Sequence, residues 1–265
     1  MDSLLGSHNC PYSKGLNWYT YQTLEKKVLE ISRIVAIDNI NKTTWSEDLA
    51  NLLILVGSSV DSFFRDMELC SYIQNKQSFI EIKEKIESKK KKTPGKEFFW
   101  GIGDFYNTYN PIYDLSDHFL IVNPISLSNY DKIKPFENFN KFFKKKEKNQ
   151  KGEEVELSTW WHDYNGLKHS YYQDFKKRAT LENVLEALGS LFLLNCLHVC
   201  SQIYLIKNKY FKVSHGSYID DLREDPFIYE LIKSPYYGYN PPNLSALDIF
   251  LQTNLFRFEM RKHKP

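Results

Sequence analysis

Only four cysteines, Cys10, Cys70, Cys196 and Cys200, stand in a chain of 265 residues. Their scattered spacing excludes the dense disulfide framework of a small secreted domain, so a reducing, cytoplasmic setting is expected. Charge of one sign is also missing. Lys and Arg number 35 against 33 Asp and Glu, a formal net charge of +2, so nucleic-acid binding would need a local patch rather than a whole-molecule field. The opening residues MDSLLGSHNC hold neither a basic leader nor an apolar segment, and no signal peptide is expected. The longest apolar run, Leu188 to Ile206, is interrupted by Asn195, His198, Ser201 and Gln202. It reads as a buried helix of a soluble protein with no membrane partner. Gly101-Ile102-Gly103 is too short for a phosphate-binding loop and lacks a strand-turn-helix context. No internal repeat is visible.

What the chain does have is a hydrophobic fraction of 42% and an aromatic fraction of 15%, enough for a substantial core. Tyr21, Leu24, Val28, Ile31 and Val35 recur at helical spacing, as do Leu49, Leu52, Leu53, Val56, Val60, Phe63, Phe64 and Met67. The two stripes predict an antiparallel helical hairpin over 20–70, its second helix opened by a Thr44-x-x-Glu47 capping box. Asp61 and Arg65 stand one turn apart, the spacing of an exposed ion pair or of an acid placed near a site.

Residues 71–157 read as an insertion. Ser78 to Glu87 is expected to be helical, and Lys89 to Gly95 to be a solvated turn. Phe98 to Tyr113, with two glycines and a proline, is expected to be irregular; His118 to Ile125 is the best strand candidate. Between Asp131 and Glu154, lysines interleave with Phe136, Phe139, Phe142 and Phe143. That pattern suits either a nucleic-acid surface or a solvated loop pinned by its phenylalanines.

The segment 158–206 carries the densest chemistry. Trp160 to Phe175 predicts one helix, with Asn165 and His169 four residues apart and hence on one face. Thr180 caps a second, almost wholly apolar helix. Cys196 and Cys200 lie one turn apart on it, but no second ligand pair has matching spacing, so they read as buried thiols. No metal or cofactor is expected. In the extension 207–265, Asp220, Asp221, Glu224 and Asp225 form an acidic cluster, and Ser245 to Arg261 reads as a helix. The whole is expected to be a single, mainly α domain with room for one or two short strands in the insertion.

Two stretches, WWHDYNGLKH at Trp160 to His169 with the helix from Ala179 to Asn195, and Trp45 to Met67 with its Asp61, resemble the HEPN superfamily of small α-helical domains. The resemblance covers about one third of the chain. It implies an antiparallel helical bundle and, in many members, metal-independent RNA cleavage in phage defence, toxin-antitoxin or abortive-infection systems. It also implies a homodimer whose two motifs share a site, with RNA as partner and an antitoxin or another protein as a further one. Carried over, His169 matches the catalytic His and Asn165 the polar residue, while the Arg position holds Tyr164, a phenol without a cation. Lys168, Lys176, Lys177 or Arg178 would then supply the charge. Trp160, Trp161, Tyr171 and Tyr172 form an aromatic wall for stacking a base. The alternative reading is a non-catalytic module that binds RNA, a nucleotide or a protein.

Overall fold

The computed structural model describes residues 15–93, 97, 100–122, 132–139, 159–213 and 249–260. It is mainly helical, with a small antiparallel sheet. The chain separates into two compact units, one of residues 1–39, 119–133 and 192–265, the other of residues 40–118 and 134–191. Among the described residues, no helix is long and apolar enough to cross a membrane.

In the first unit, α1 (Leu16–Ser32) buries Trp18, Tyr21, Leu24 and Val28 on the face that the periodicity marks. Gly15 starts it at φ 73, a left-handed conformation that disfavours any side chain. The sheet runs β2-β1-β5-β4-β3, with β1 Leu120–Val122, β2 Lys132–Ile133, β3 Phe211–Val213, β4 Ile249–Gln252 and β5 Phe256–Met260. The two strands in the insertion match the expectation there. The C-terminal segment does not: it forms the β4–β5 hairpin where a helix is expected. Its reason is the alternation of buried Phe256 and Phe258 about half-buried Arg257, a period of two.

Glu25 joins α1 to that hairpin. Its buried carboxylate accepts from the Tyr21 hydroxyl at 2.8 Å, the Thr253 hydroxyl at 2.5 Å and the Leu255 amide at 3.0 Å. Burial, and next the neighbouring Glu25, push the Tyr21 phenol well above its ordinary range.

The second unit begins with α2 (Glu47–Met67), whose N-cap is Ser46, accepting from the Leu49 amide at 3.1 Å. The capping box at Thr44 is thus displaced by two residues, because the Thr44 carbonyl accepts from the Leu181 amide and Trp45 bridges to Thr180. After the short α3 (Ser71–Gln74), α4 (Gln77–Lys92) continues through the lysine run expected to be a turn. Lysine is a good helix former, and four of them in the last turn face the negative end of the macrodipole. α5 (Ile102–Tyr113) corrects the irregular expectation for that segment. Phe105, Tyr109, Ile112 and Tyr113 are buried at helical spacing, and the Asp104 side chain accepts from the Gly101 amide at 3.1 Å.

The motif helix α6 (Trp160–His169) stops six residues short of the expected end. A turn follows, with Asp174 at φ 55, then the short α7 (Phe175–Arg178) and α8 (Leu181–Leu197). Thr180 caps α8 as expected, its hydroxyl accepting from the Asn183 amide at 3.3 Å. The last apolar stretch is two helices, α8 and α9 (Val199–Lys207), separated at His198. Cys196 and Cys200 are both buried. An aromatic ladder holds the second unit together, running through Phe64, Phe136, Phe139, Trp160, Trp161 and Tyr164 with ring centroids 5.1–6.3 Å apart.

Candidate functional site

α6 has three working faces, and its sequence assigns them. Tyr164 faces α2: it is 1% exposed and lies so close to Gly57 that a Cβ there would overlap its ring, 2.5 Å from Cγ. Its hydroxyl lies 3.3 Å from the Ser58 hydroxyl and accepts from Lys168 Nζ at 3.2 Å. Position 164, where the sequence resemblance leads one to expect an arginine, is therefore a core position set against another helix. Lys168 is held over the same ring at 5.5 Å.

A second face carries Asp163 and Gly166. Asp163 accepts from Asn183 Nδ2 at 2.9 Å and lies 3.9 Å from Arg178 Nε. The Arg178 guanidinium rests on Gly166, where a Cβ would overlap its Nη1. It also donates to the Gln173 carbonyl at 3.1 Å and sits 3.8 Å from Asp174. Arg178 is thus a brace for the turn after α6, with its charge already compensated.

Asn165, half-buried, and His169, exposed, share the third face. Neither side chain makes a hydrogen bond among the described residues. The structure does not bring Asp61 to them. Tyr164 pairs with Ser58 and the Tyr171 hydroxyl donates to Asn51 Oδ1 at 3.4 Å, so α2 and α6 run antiparallel. In that register Asp61 lies level with Trp161, roughly 12 Å along the axis from His169 at 1.5 Å per residue. Arg65 instead donates to Asp61 at 3.2 Å, the plain helical pair.

The expected aromatic wall divides in two. Trp160 and Trp161 are 1% and 5% exposed, and Trp160 Nε1 donates to the Pro135 carbonyl at 2.9 Å. Both belong to the core and offer no face to a ligand. Phe136 and Phe139 are buried too, which pins the start of the lysine-rich segment; Phe142, Phe143 and the lysines from Lys141 to Lys151 lie outside the described residues, as does the acidic cluster at 220–225.

Tyr171 and Tyr172, by contrast, line an open cleft of about 640 Å³ with Trp45, Glu47, Asp174, Phe175, Lys176 and Lys177. Tyr172 is 90% and Trp45 44% exposed. Phe175 meets Tyr171 at 5.3 Å and Trp45 at 5.9 Å, and Lys176 Nζ lies 4.9 Å over the Trp45 ring. Loss of water around it, and next the charge of Glu47, raise the Tyr171 phenol above its ordinary value.

Sequence reasoning reaches the tyrosines and lysines but misses Trp45, Glu47 and Phe175. The available signal is Trp45, a large aromatic between Thr44 and Ser46, off the apolar stripe of α2. No family model, curated protein or solved structure matches this chain.

Proposed function

We propose that the chain is a HEPN-like helical module that binds single-stranded RNA through the cleft at the end of its motif helix. The observation that carries this reading is the convergence of Trp45, Tyr171, Tyr172 and Phe175 on one open surface, bordered by Lys176 and Lys177. Exposed rings accept any unpaired base by stacking, and lysines at the rim meet the phosphates between bases. Duplex RNA keeps its bases inside and offers these rings nothing. The HEPN-like part of the reading rests on α2, α6 and α8, the helices that carry the sequence resemblance. Burial of Tyr164 favours binding over cleavage, since the position of the family's cation points into the core.

The test is fluorescence anisotropy of a labelled single-stranded oligoribonucleotide with the intact chain and with Tyr172→Ala. Each stacked base contributes about 1–3 kcal/mol, so Tyr172→Ala weakens binding by roughly 5- to 150-fold. Binding indifferent to Tyr172, or to salt, would remove the proposal.

A second reading is favoured by Asn165 and His169, which share an accessible face of α6 two residues before Tyr171. In this reading His169 takes the ribose 2′-hydroxyl proton and Asn165 orients the phosphate, with two motifs meeting across a two-fold dimer. His169→Ala must then abolish RNA decay that the parent chain causes. Equal decay, or none from either, excludes it.

A further inference from the structure

We infer that the cleft is selective for guanine and that Glu47 is the residue that reads it; this rests on the RNA-binding reading above and narrows its ligand. The charges around the cleft are unequally occupied. Lys176 lies over Trp45, Lys177 stands 4.0 Å from Asp174, and Asp174 is also 3.8 Å from Arg178. The Glu47 side chain has neither a hydrogen bond nor an ion pair among the described residues. It sits in the first turn of α2 and lines the cleft. The Tyr171 phenol, which lines the cleft beside it, donates to Asn51 instead.

An ionised carboxylate in a ligand cleft repels phosphate and calls for donors. The ligand must therefore turn a neutral, donor-bearing edge toward it, and the surrounding rings require that edge to belong to a flat aromatic group. Guanine is the base that fits. Its N1–H and N2–H point the same way from adjacent positions and match the two oxygens of one carboxylate. In adenine and cytosine the amino group sits beside a ring-nitrogen acceptor, which would face the second oxygen. Uracil has one imino donor between two carbonyls. Guanine stacked on Tyr172 or Trp45 thus satisfies Glu47, and the other three bases leave it opposed.

The experiment is competition against a labelled short single strand of mixed sequence, bound to the full chain, by the dinucleotides GpG, ApA, CpC, UpU and IpI. GpG displaces the strand at about a tenfold lower concentration than ApA, CpC or UpU, the discrimination of one bidentate pair. IpI, which lacks the N2 amine, falls between. Glu47→Gln, an exposed change that leaves the core untouched, removes the preference for GpG and lets ApA compete at a lower concentration than against the parent chain, because the amide offers adenine one donor and one acceptor. Equal competition by all dinucleotides, or a GpG preference that survives Glu47→Gln, overturns guanine selectivity and leaves the RNA reading standing. A labelled strand that does not bind at all overturns both.

Discussion

Gly57→Ala in the middle of α2 sets two well-characterised effects against each other. By intrinsic propensity, alanine inside a helix is favoured over glycine by about 1 kcal/mol. The tertiary structure opposes this, because the new Cβ would overlap Cδ2 of Tyr164 and stand 2.5 Å from its Cγ. Those atoms are the base of a rigid ring, fixed by burial and by the ring of Trp161 at 5.1 Å, so they cannot swing aside. α2 and α6 must separate, and overpacking of this kind costs about 1–3 kcal/mol. The expected outcome is a net loss of about 1 kcal/mol, with the propensity gain hidden beneath the clash.

The double-mutant cycle exposes it. Tyr164→Ala alone costs about 3–5 kcal/mol for a buried aromatic, and in that background Gly57→Ala becomes stabilising by about 1 kcal/mol. Urea unfolding followed by circular dichroism and tryptophan fluorescence measures all four chains. If Gly57→Ala stabilises the parent and the Tyr164→Ala chain equally, the close approach of α2 and α6 is wrong, and with it the burial argument against a cation at position 164.

Gly166→Ala gives the opposite outcome from a similarly close approach, because the atoms it meets belong to the flexible Arg178 guanidinium. Stability changes by less than about 1 kcal/mol, while loss of the Arg178 brace loosens the Tyr171–Phe175 turn and weakens oligonucleotide binding in anisotropy. Glu25→Ala leaves three donors without their acceptor and lowers stability by about 2–4 kcal/mol in urea melts, with Glu25→Gln in between. Burial first, and next the charge of Glu182, raise the Glu186 carboxyl from 4.5 to about 8. Between those values the folded chain keeps a proton that the unfolded chain has released, so stability is greatest below 4.5 and falls as pH rises through 8. Glu186→Gln flattens that fall and raises the unfolding midpoint at pH 8, by about 1–3 kcal/mol in free energy; an unchanged pH profile would refute it.

The helices that carry regular apolar stripes are legible in the sequence. α1 and α2 follow from spacing alone, because a face buried every third or fourth residue leaves a period that no other element shares, and α8 follows from the length of its apolar run behind the Thr180 cap. α5 and the β4–β5 hairpin are not. The glycines and proline around α5 argue for irregular chain, yet burial of Phe105, Tyr106 and Tyr109 against the aromatic ladder outweighs that local preference. At β4–β5 the alternation is only a few residues long, too short to be told from a helical pattern without its partner strands.

The site divides along the same line. Sequence by itself determines that Asn165 and His169 share one face of α6, because four residues on a helix return to the same side. It also determines that tyrosines and basic residues follow them. Only the tertiary structure decides that Tyr164 and both tryptophans turn into the core, since burial depends on which neighbour comes to lie against each face. Only the tertiary structure brings Trp45 and Glu47 to Tyr171 and Phe175, across more than 120 residues of chain, through the Trp45–Thr180 bridge. A cleft made by two distant segments has no local sequence period, and its chemistry exists only once the backbone has joined them.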